Sequence, residues 1–354
     1  MGKKSASAGR QKPTPAKQQP ACKPSSSQSS KSNNTVAHAL SLSRQQGILN
    51  IFSDAFDAVL TSETFPALLQ EIKQALFNRE FDVAFGWEDY LEAYAARWSP
   101  TRALCYGNVF IGLKKHFEAV CTTVGEDAGR KNLRMMCIGG CAAEHVAFAT
   151  LLGHRDMKGS LTLLDAAPWS HVSNLLQDRL TSPPPISKYA SAEAKAANTP
   201  LLPEPDQLSL HVQQNDALAL SADEWKGLVG AETPLVVTLM FTLNELYTHG
   251  GIGKTTKLLK TLGAVLPSGS LLLVVDSPGS YSEAALGKEK KRYPMQWLLN
   301  HTLLETENDG FAWTRLESEE SLWCRLSEEL VYPIQLENMR YQMHLYRVDK
   351  SPAQ

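Results

Sequence analysis

The segment Gly139-Gly140-Cys141-Ala142-Ala143-Glu144 follows an apolar run at 133–138 and leads into an apolar stretch of helix length. Small residues at such a place let the backbone turn tightly and come close to a ligand, whose polar groups then meet the free N–H groups of a helix start. Twenty-six residues past Gly139, the next apolar run, 160–165, ends in Asp165. A carboxylate there can accept hydrogen bonds from both hydroxyls of a ribose. Asn215-Asp216 follows the third run, 207–213, at the level where an adenine edge would lie. One glycine-rich turn is weak evidence by itself. Turn, acid and polar pair in this order point to an adenosyl ligand.

The elements that must position these groups follow from periodicity. From about 37 to 130 the pattern is helical: Ile48, Ile51, Phe52, Phe56 and Leu60 recur at spacings of three and four, as do Leu68, Leu69, Ile72, Leu76 and Phe77. Ser99-Pro100 reads as a break and a new helix start, with Ser99 as the cap. After about 131 the rhythm changes. Short apolar runs at 133–138, 160–165, 207–213, 234–241, 270–276 and 342–348 are separated mostly by helix-length segments. That alternation predicts an α/β fold with a mostly parallel sheet covered on both faces. The proline clusters in 181–206 read as a loop inserted before the third strand, and the stretch before the last strand reads as long and irregular.

Charge is distributed unevenly. The formal net charge of the 354-residue chain is −2, yet residues 1–53 carry eight Lys or Arg and no acid, which leaves −10 on the remainder. Residues 1–36 hold almost no large apolar side chain, so they are expected to be a disordered basic tail. The tail either directs nuclear import, touches RNA weakly or is inert. No apolar run approaches the roughly 20 residues of a membrane-spanning helix, and the polar N-terminus does not read as a secretory signal. Six cysteines without a CxxC pair favour reduced thiols over zinc.

Two other motifs compete. Gly250-Gly251-Ile252-Gly253-Lys254-Thr255-Thr256 reads like a deviant Walker A, but position 248 is Thr rather than the first glycine. Residues 242–247 also separate it from its strand, so a helix start with a solvated lysine is preferred. A nicotinamide dinucleotide is the other rival, and the turn lacks the third glycine it would need.

Four strings narrow the family: Tyr94-Ala-Ala-Arg97-Trp98-Ser99-Pro100-Thr-Arg102-Ala-Leu-Cys-Tyr106, Phe241-Thr-Leu-Asn244-Glu245-Leu246-Tyr247, Asp276-Ser277-Pro278-Gly279-Ser280-Tyr281 and Tyr332-Pro333-Ile-Gln-Leu-Glu337-Asn338-Met-Arg340-Tyr341. Over roughly 37–348 the chain resembles the fungal family of S-adenosylmethionine-dependent methyltransferases that includes the 25S rRNA uridine-N3 methyltransferase. The resemblance implies a class I, Rossmann-like methyltransferase with a seven-stranded sheet over 131–350, a helical region ahead of it and a terminal β-hairpin. It also implies S-adenosylmethionine as cofactor, large-subunit rRNA or a pre-ribosomal particle as partner, and a nucleolar location, with no metal and no membrane. On this reading Gly139, Gly140, Cys141, Glu144, Asp165, Asn215 and Asp216 hold the cofactor. Asn244 and Glu245 face the target base, with a helix cap as the alternative for Asn244. Arg97, Arg102, Arg340 and Tyr341 are candidates for RNA, although the arginines can equally pair with Glu337 or other acids, and Trp98 is expected in the core. The glycine turn departs from a fully glycine version at Cys141 and Ala143. A non-catalytic assembly factor that kept the fold, or a methyltransferase for another RNA or a protein, is the alternative function.

Overall fold

The helical periodicity of the first third forms α1 (Leu42–Ala55), α2 (Asp57–Leu60), α3 (Phe65–Asn78), α4 (Phe81–Ala84), α5 (Glu88–Gly112) and α6 (Lys114–Val120). The computed structural model describes residues 39–123, 130–155, 157–230, 232–279, 281–286 and 289–350, with only the backbone described over 281–286 and 289–292. The tail expected over 1–36 lies outside these residues. Further along come β1 (Thr122–Thr123), β2 (Lys131–Ile138), α7 (Ala142–Arg155), β3 (Lys158–Asp165), α8 (Ser170–Thr181), α9 (Ala192–Ala197) and β4 (Leu208–Gln214). They are followed by α10 (Ala222–Val229), β5 (Val236–Met240), α11 (Leu243–Val265), β6 (Leu271–Asp276), β7 (Tyr281–Leu286), β8 (Glu289–Pro294), α12 (Met295–Asn300), a π-helical turn (His301–Glu305), β9 (Phe311–Cys324) and β10 (Met339–Lys350).

Seven strands form the main sheet in the order β4-β3-β2-β5-β6-β10-β9, and the two-residue β1 pairs with β2 outside this path. The first five are mutually parallel, and β10 runs antiparallel between β6 and β9. This is a class I methyltransferase topology. Side chains alternate across the sheet as a period of two requires. Met135, Cys137, Val236, Leu273 and Val275 face the layer built from α1, α5, α7 and α8. Met136, Ile138, Val237, Leu239, Leu272 and Val274 face α10, α11 and α12.

Three sequence expectations need correction. The chain does not break at Pro100, because α5 runs through it from Glu88 to Gly112. Proline removes the N–H that would bond the Ala96 carbonyl, and that carbonyl instead accepts the Tyr332 hydroxyl at 2.8 Å. A partner 236 residues away thus meets the unsatisfied group, and the helix persists. The loop at 181–206 contains the short helix α9, capped by Ser191. The stretch before the last strand is largely regular: it holds the β7–β8 hairpin, α12 and the 14-residue β9.

Candidate active site

The carboxyl ends of β2, β3, β4 and β5 open into a pocket of about 540 Å³. At its floor Gly139 turns the chain with φ +66°, and a Cβ there would stand 2.2 Å from Thr242 Cγ2. Glycine is therefore needed both for its conformation and for the space. Thr242 Oγ1 donates to the Gly139 carbonyl at 3.0 Å, which fastens the start of α11 to the turn. A Cβ on Gly140 would lie 2.8 Å from Glu144 Cδ. Glu144 is buried at 4% exposure and accepts the Cys141 N–H at 2.9 Å. Burial raises its carboxyl from 4.5 to about 7, against its hydrogen bonds and the nearby Arg102 charge.

Asp165 stands at the end of β3 and its Oδ1 accepts the Ala167 N–H at 2.8 Å. Burial raises this carboxyl from 3.8 to about 6 despite that bond. The Asn215 N–H donates to the Asp165 carbonyl at 2.8 Å, so β4 delivers its polar pair beside the acid. Asp216 holds its own turn by accepting the Leu218 N–H at 2.8 Å. Gly139, Gly140, Cys141, Glu144, Asp165, Asn215 and Asp216 all line the one pocket.

The opposite wall comes from the β5–α11 turn and from α4 and α5. Phe241 has φ +60°, a conformation that costs a bulky L-residue about 1–3 kcal/mol. Its N–H donates to the Val275 carbonyl at 2.7 Å, its ring stacks on Tyr106, and the Arg102 guanidinium lies 5.4 Å from its centroid. The turn brings Glu245 to the pocket wall. Glu245 is exposed at the pocket wall, yet the protein around it desolvates the carboxyl. Its pKa rises from 4.5 to about 7, with Arg102 opposing the rise and Asp276 and Asp165 adding to it. Asn244 is not among the pocket-lining residues, contrary to the expectation that it faces the target base. Its backbone N–H donates to Asp276 Oδ2 at 3.1 Å, and that buried acid also accepts the Ser277 N–H at 2.7 Å.

The RNA candidates separate. Arg102 lines the pocket and bonds the Tyr94 hydroxyl. Arg97 pairs with Glu337. Arg340 Nε donates to Ser321 Oγ at 2.8 Å, with its guanidinium over Trp323. Tyr341 is only 2% exposed and belongs to the core, so it presents no ring to a base. Trp98 packs partly buried against the core. The Cys141 thiol is pushed well above its usual range by burial and by the Asp165 and Glu144 charges, which leaves it protonated and a poor nucleophile. Lys254 is exposed within α11, just past a helix break at Gly251 (φ +72°) that lies eleven residues beyond β5. A phosphate loop would follow its strand directly. Sequence reasoning missed Phe81, Phe85, Trp169, Thr242 and His249 as pocket residues. Of these, Thr242 alone had a signal, because it opens the Thr242-Leu243-Asn244-Glu245 string.

Among the described residues, one group could offer three metal ligands, Glu88, Glu92 and His171, all outside the pocket lining. No helix there is long and apolar enough to cross a membrane.

The strand order with its antiparallel β10 and the glycine turn between β2 and α7 define a class I methyltransferase. Residues 52–347 match the family described as "Putative SAM-dependent methyltransferase". The chain belongs to this family of S-adenosylmethionine-dependent methyltransferases. It is 29% identical over 306 residues to the 25S rRNA (uridine(2843)-N(3))-methyltransferase of Saccharomyces cerevisiae, covering 78% of this chain and 76% of the relative. Among solved structures, an S-adenosylmethionine-dependent methyltransferase from Clostridium acetobutylicum aligns at 8% identity over 77% of this chain and 98% of its own, with a TM-score of 0.33. An O-methyltransferase family protein from Burkholderia thailandensis aligns at 12% identity over 81% of this chain and 73% of its own, with a TM-score of 0.32.

Proposed function

We propose that this enzyme methylates N3 of an unpaired uridine in large-subunit rRNA, within the nucleolus, with the pocket holding S-adenosylmethionine on one side and the target base on the other. What carries the reading is position: the Glu245 carboxyl lines the same pocket as Asp165 and the Gly139 turn, and the surrounding protein raises it above the usual carboxylate range. The name of the yeast relative supports the choice of nucleobase. The residues present suit the cofactor: the cradle at Gly139 and Gly140 has no room for a Cβ, and Asp165 offers a carboxylate acceptor at ribose height. When bound, the cofactor supplies an electrophilic methyl group. The β2–α7 turn would receive its methionine part, Asp165 would accept hydrogen bonds from its ribose hydroxyls, and Asn215-Asp216 would border its adenine. Glu245 accepts the N3 proton as N3 becomes nucleophilic. Asn244 acts at one remove, since its backbone N–H anchors the turn to Asp276. Phe81, Phe85 and Phe241 offer apolar faces to a base removed from its stack. N3 lies on the pairing edge, so a paired uridine would have to be flipped at a cost of a few kcal/mol.

The test is to incubate the protein with methyl-labelled cofactor and protein-free large-subunit rRNA, digest the RNA, and identify the labelled nucleoside by chromatography and mass spectrometry. The reading expects 3-methyluridine. Label on ribose, cytosine or protein would overturn it.

A further inference from the structure

Among the described residues, Arg102 is the only arginine or lysine that lines the pocket. Helix α5 carries it there, partly buried, into the lining it shares with Glu245. Its guanidinium lies 5.5 Å from the Tyr94 centroid and 5.4 Å from that of Phe241, within reach of cation–π attraction. Its Nη1 bonds the Tyr94 hydroxyl. Tyr94 in turn packs against Phe85, Trp98 and Trp169. The group that holds Arg102 is therefore itself held.

What this guanidinium lacks is an anion. Among the described residues its one hydrogen bond goes to Tyr94, and it forms no ion pair. Its charge acts on Glu144 and Glu245, but desolvation raises both carboxyls to about 7, so neither is a full counter-charge at neutral pH. No Arg102 nitrogen is sealed from solvent without a partner. The donors that Tyr94 leaves free therefore open onto the pocket. A fixed charge kept open in this way suits negative charge that appears only during a reaction. Uridine supplies such charge: once N3 loses its proton, the negative charge spreads over N3 and the flanking oxygens O2 and O4. The N3–H is also a weaker acid than a carboxyl at about 7, so a cation at one of those oxygens eases the transfer to Glu245.

We propose that Arg102 donates to a carbonyl oxygen of the target uracil, O2 or O4, and stabilises the negative charge that reaches it as N3 is deprotonated. This inference rests on the reading that uridine N3 is the target, and it adds the group that holds the anion. Arg102 stays protonated throughout. The proton passes from N3 to the Glu245 carboxylate. The N3–carbon bond forms as the carbon–sulfur bond breaks, the electron pair of the broken bond stays on sulfur, and the methylated base is neutral again.

The experiment uses protein-free large-subunit rRNA transcribed with a small fraction of its uridines replaced by 4-thiouridine, and a second preparation with 2-thiouridine. Sulfur accepts hydrogen bonds poorly where oxygen accepts them well. After single-turnover transfer at saturating cofactor, digestion and mass spectrometry count methylated uridine against methylated thiouridine from the same RNA. Arg102→Met should form 3-methyluridine about 10–100-fold more slowly, with cofactor affinity unchanged. The parent's preference for uridine should shrink about tenfold in the variant at one of the two sulfur positions, which identifies the oxygen held. Dividing one enzyme's preference by the other's cancels the altered acidity of the thiobase. If Arg102→Met does not fold, Arg102→Lys carries the same test with a smaller shift in the same direction, because lysine keeps the charge without the planar fork. A folded variant with the parent's preference at both positions overturns the proposal and leaves Glu245 its role. A variant whose cofactor affinity falls as far as its rate puts Arg102 on the cofactor's carboxylate and equally overturns it. A parent that yields no 3-methyluridine would remove the uridine reading itself, and the role of Arg102 with it.

Discussion

The two walls of the pocket are built differently. The wall assigned to the cofactor comes from the ends of three adjacent parallel strands, β2, β3 and β4, and its groups are placed by backbone. Gly139 N–H bonds the Leu164 carbonyl at 2.8 Å, and Asn215 N–H bonds the Asp165 carbonyl at 2.8 Å. The wall assigned to the base is assembled from distant segments: Phe81 and Phe85 from the α4 region, Tyr94 and Arg102 from α5, and Phe241 and Glu245 at the start of α11. Side-chain contacts hold it together, with the Arg102 guanidinium between the Tyr94 and Phe241 rings at 5.5 and 5.4 Å. A ligand common to a whole fold class can be met by ladder geometry alone. A particular substrate needs groups that only tertiary packing brings together.

That contrast can be broken or sharpened by substitution. Gly139→Ala strikes the joint between the walls, because its Cβ would displace Thr242. Cofactor affinity and methyl transfer should fall together, by at least about 100-fold, from the left-handed backbone cost and the clash combined. A calorimetric titration of cofactor beside a transfer assay checks this. Asp165→Ala touches one wall alone. Losing charged hydrogen bonds to a ribose should cost about 1.5–3 kcal/mol of cofactor affinity. The parent's affinity should also decline as pH falls through about 6, where Asp165 takes up a proton, and the variant should lack that dependence. Unchanged affinity in a folded variant would remove Asp165 from the site.

Glu144→Gln tests the support beneath the turn. The fold raises this carboxyl from 4.5 to about 7, so it favours the protonated form. The stability this contributes is fully present below about 4.5 and lost as pH rises through about 7. The neutral amide can still accept the Cys141 N–H and should escape the loss. The variant should gain about 2–3 kcal/mol on the parent between pH 4.5 and 8, read from urea midpoints at both ends.

The same contrast explains what the sequence disclosed. The apolar runs of β2 to β6, the glycine turn, Asp165 and the pair at 215–216 were legible because each is a local pattern. Pro100 misled because the group that rescues the Ala96 carbonyl is Tyr332, far along the chain. Strand β9, expected only through the terminal hairpin that the family resemblance implied, left no apolar run because its centre, Glu317-Ser318-Glu319-Glu320, is polar and lies at the sheet's edge, where alternation with a core is weak. Tyr341 reads as a surface aromatic beside Arg340. On β10, however, neighbouring residues point to opposite faces, so one is exposed and the next is buried. Arg102 joined the pocket only through the packing of α5, and the positive φ of Phe241 has no counterpart in residue type. What escaped was mostly what depends on long-range contact.

The central claim is that Glu245 accepts the proton of the reacting base. Single-turnover methyl transfer to RNA, measured at saturating cofactor across pH 5–9 for the parent and for Glu245→Gln, tests it most directly. The parent rate should rise about tenfold per pH unit until the carboxyl at about 7 has ionised and then level off. Glu245→Gln should bind cofactor normally, transfer the methyl group about 10²–10⁴-fold more slowly and lose that rise. A Glu245→Gln enzyme with the parent's rate and the parent's profile would contradict the account.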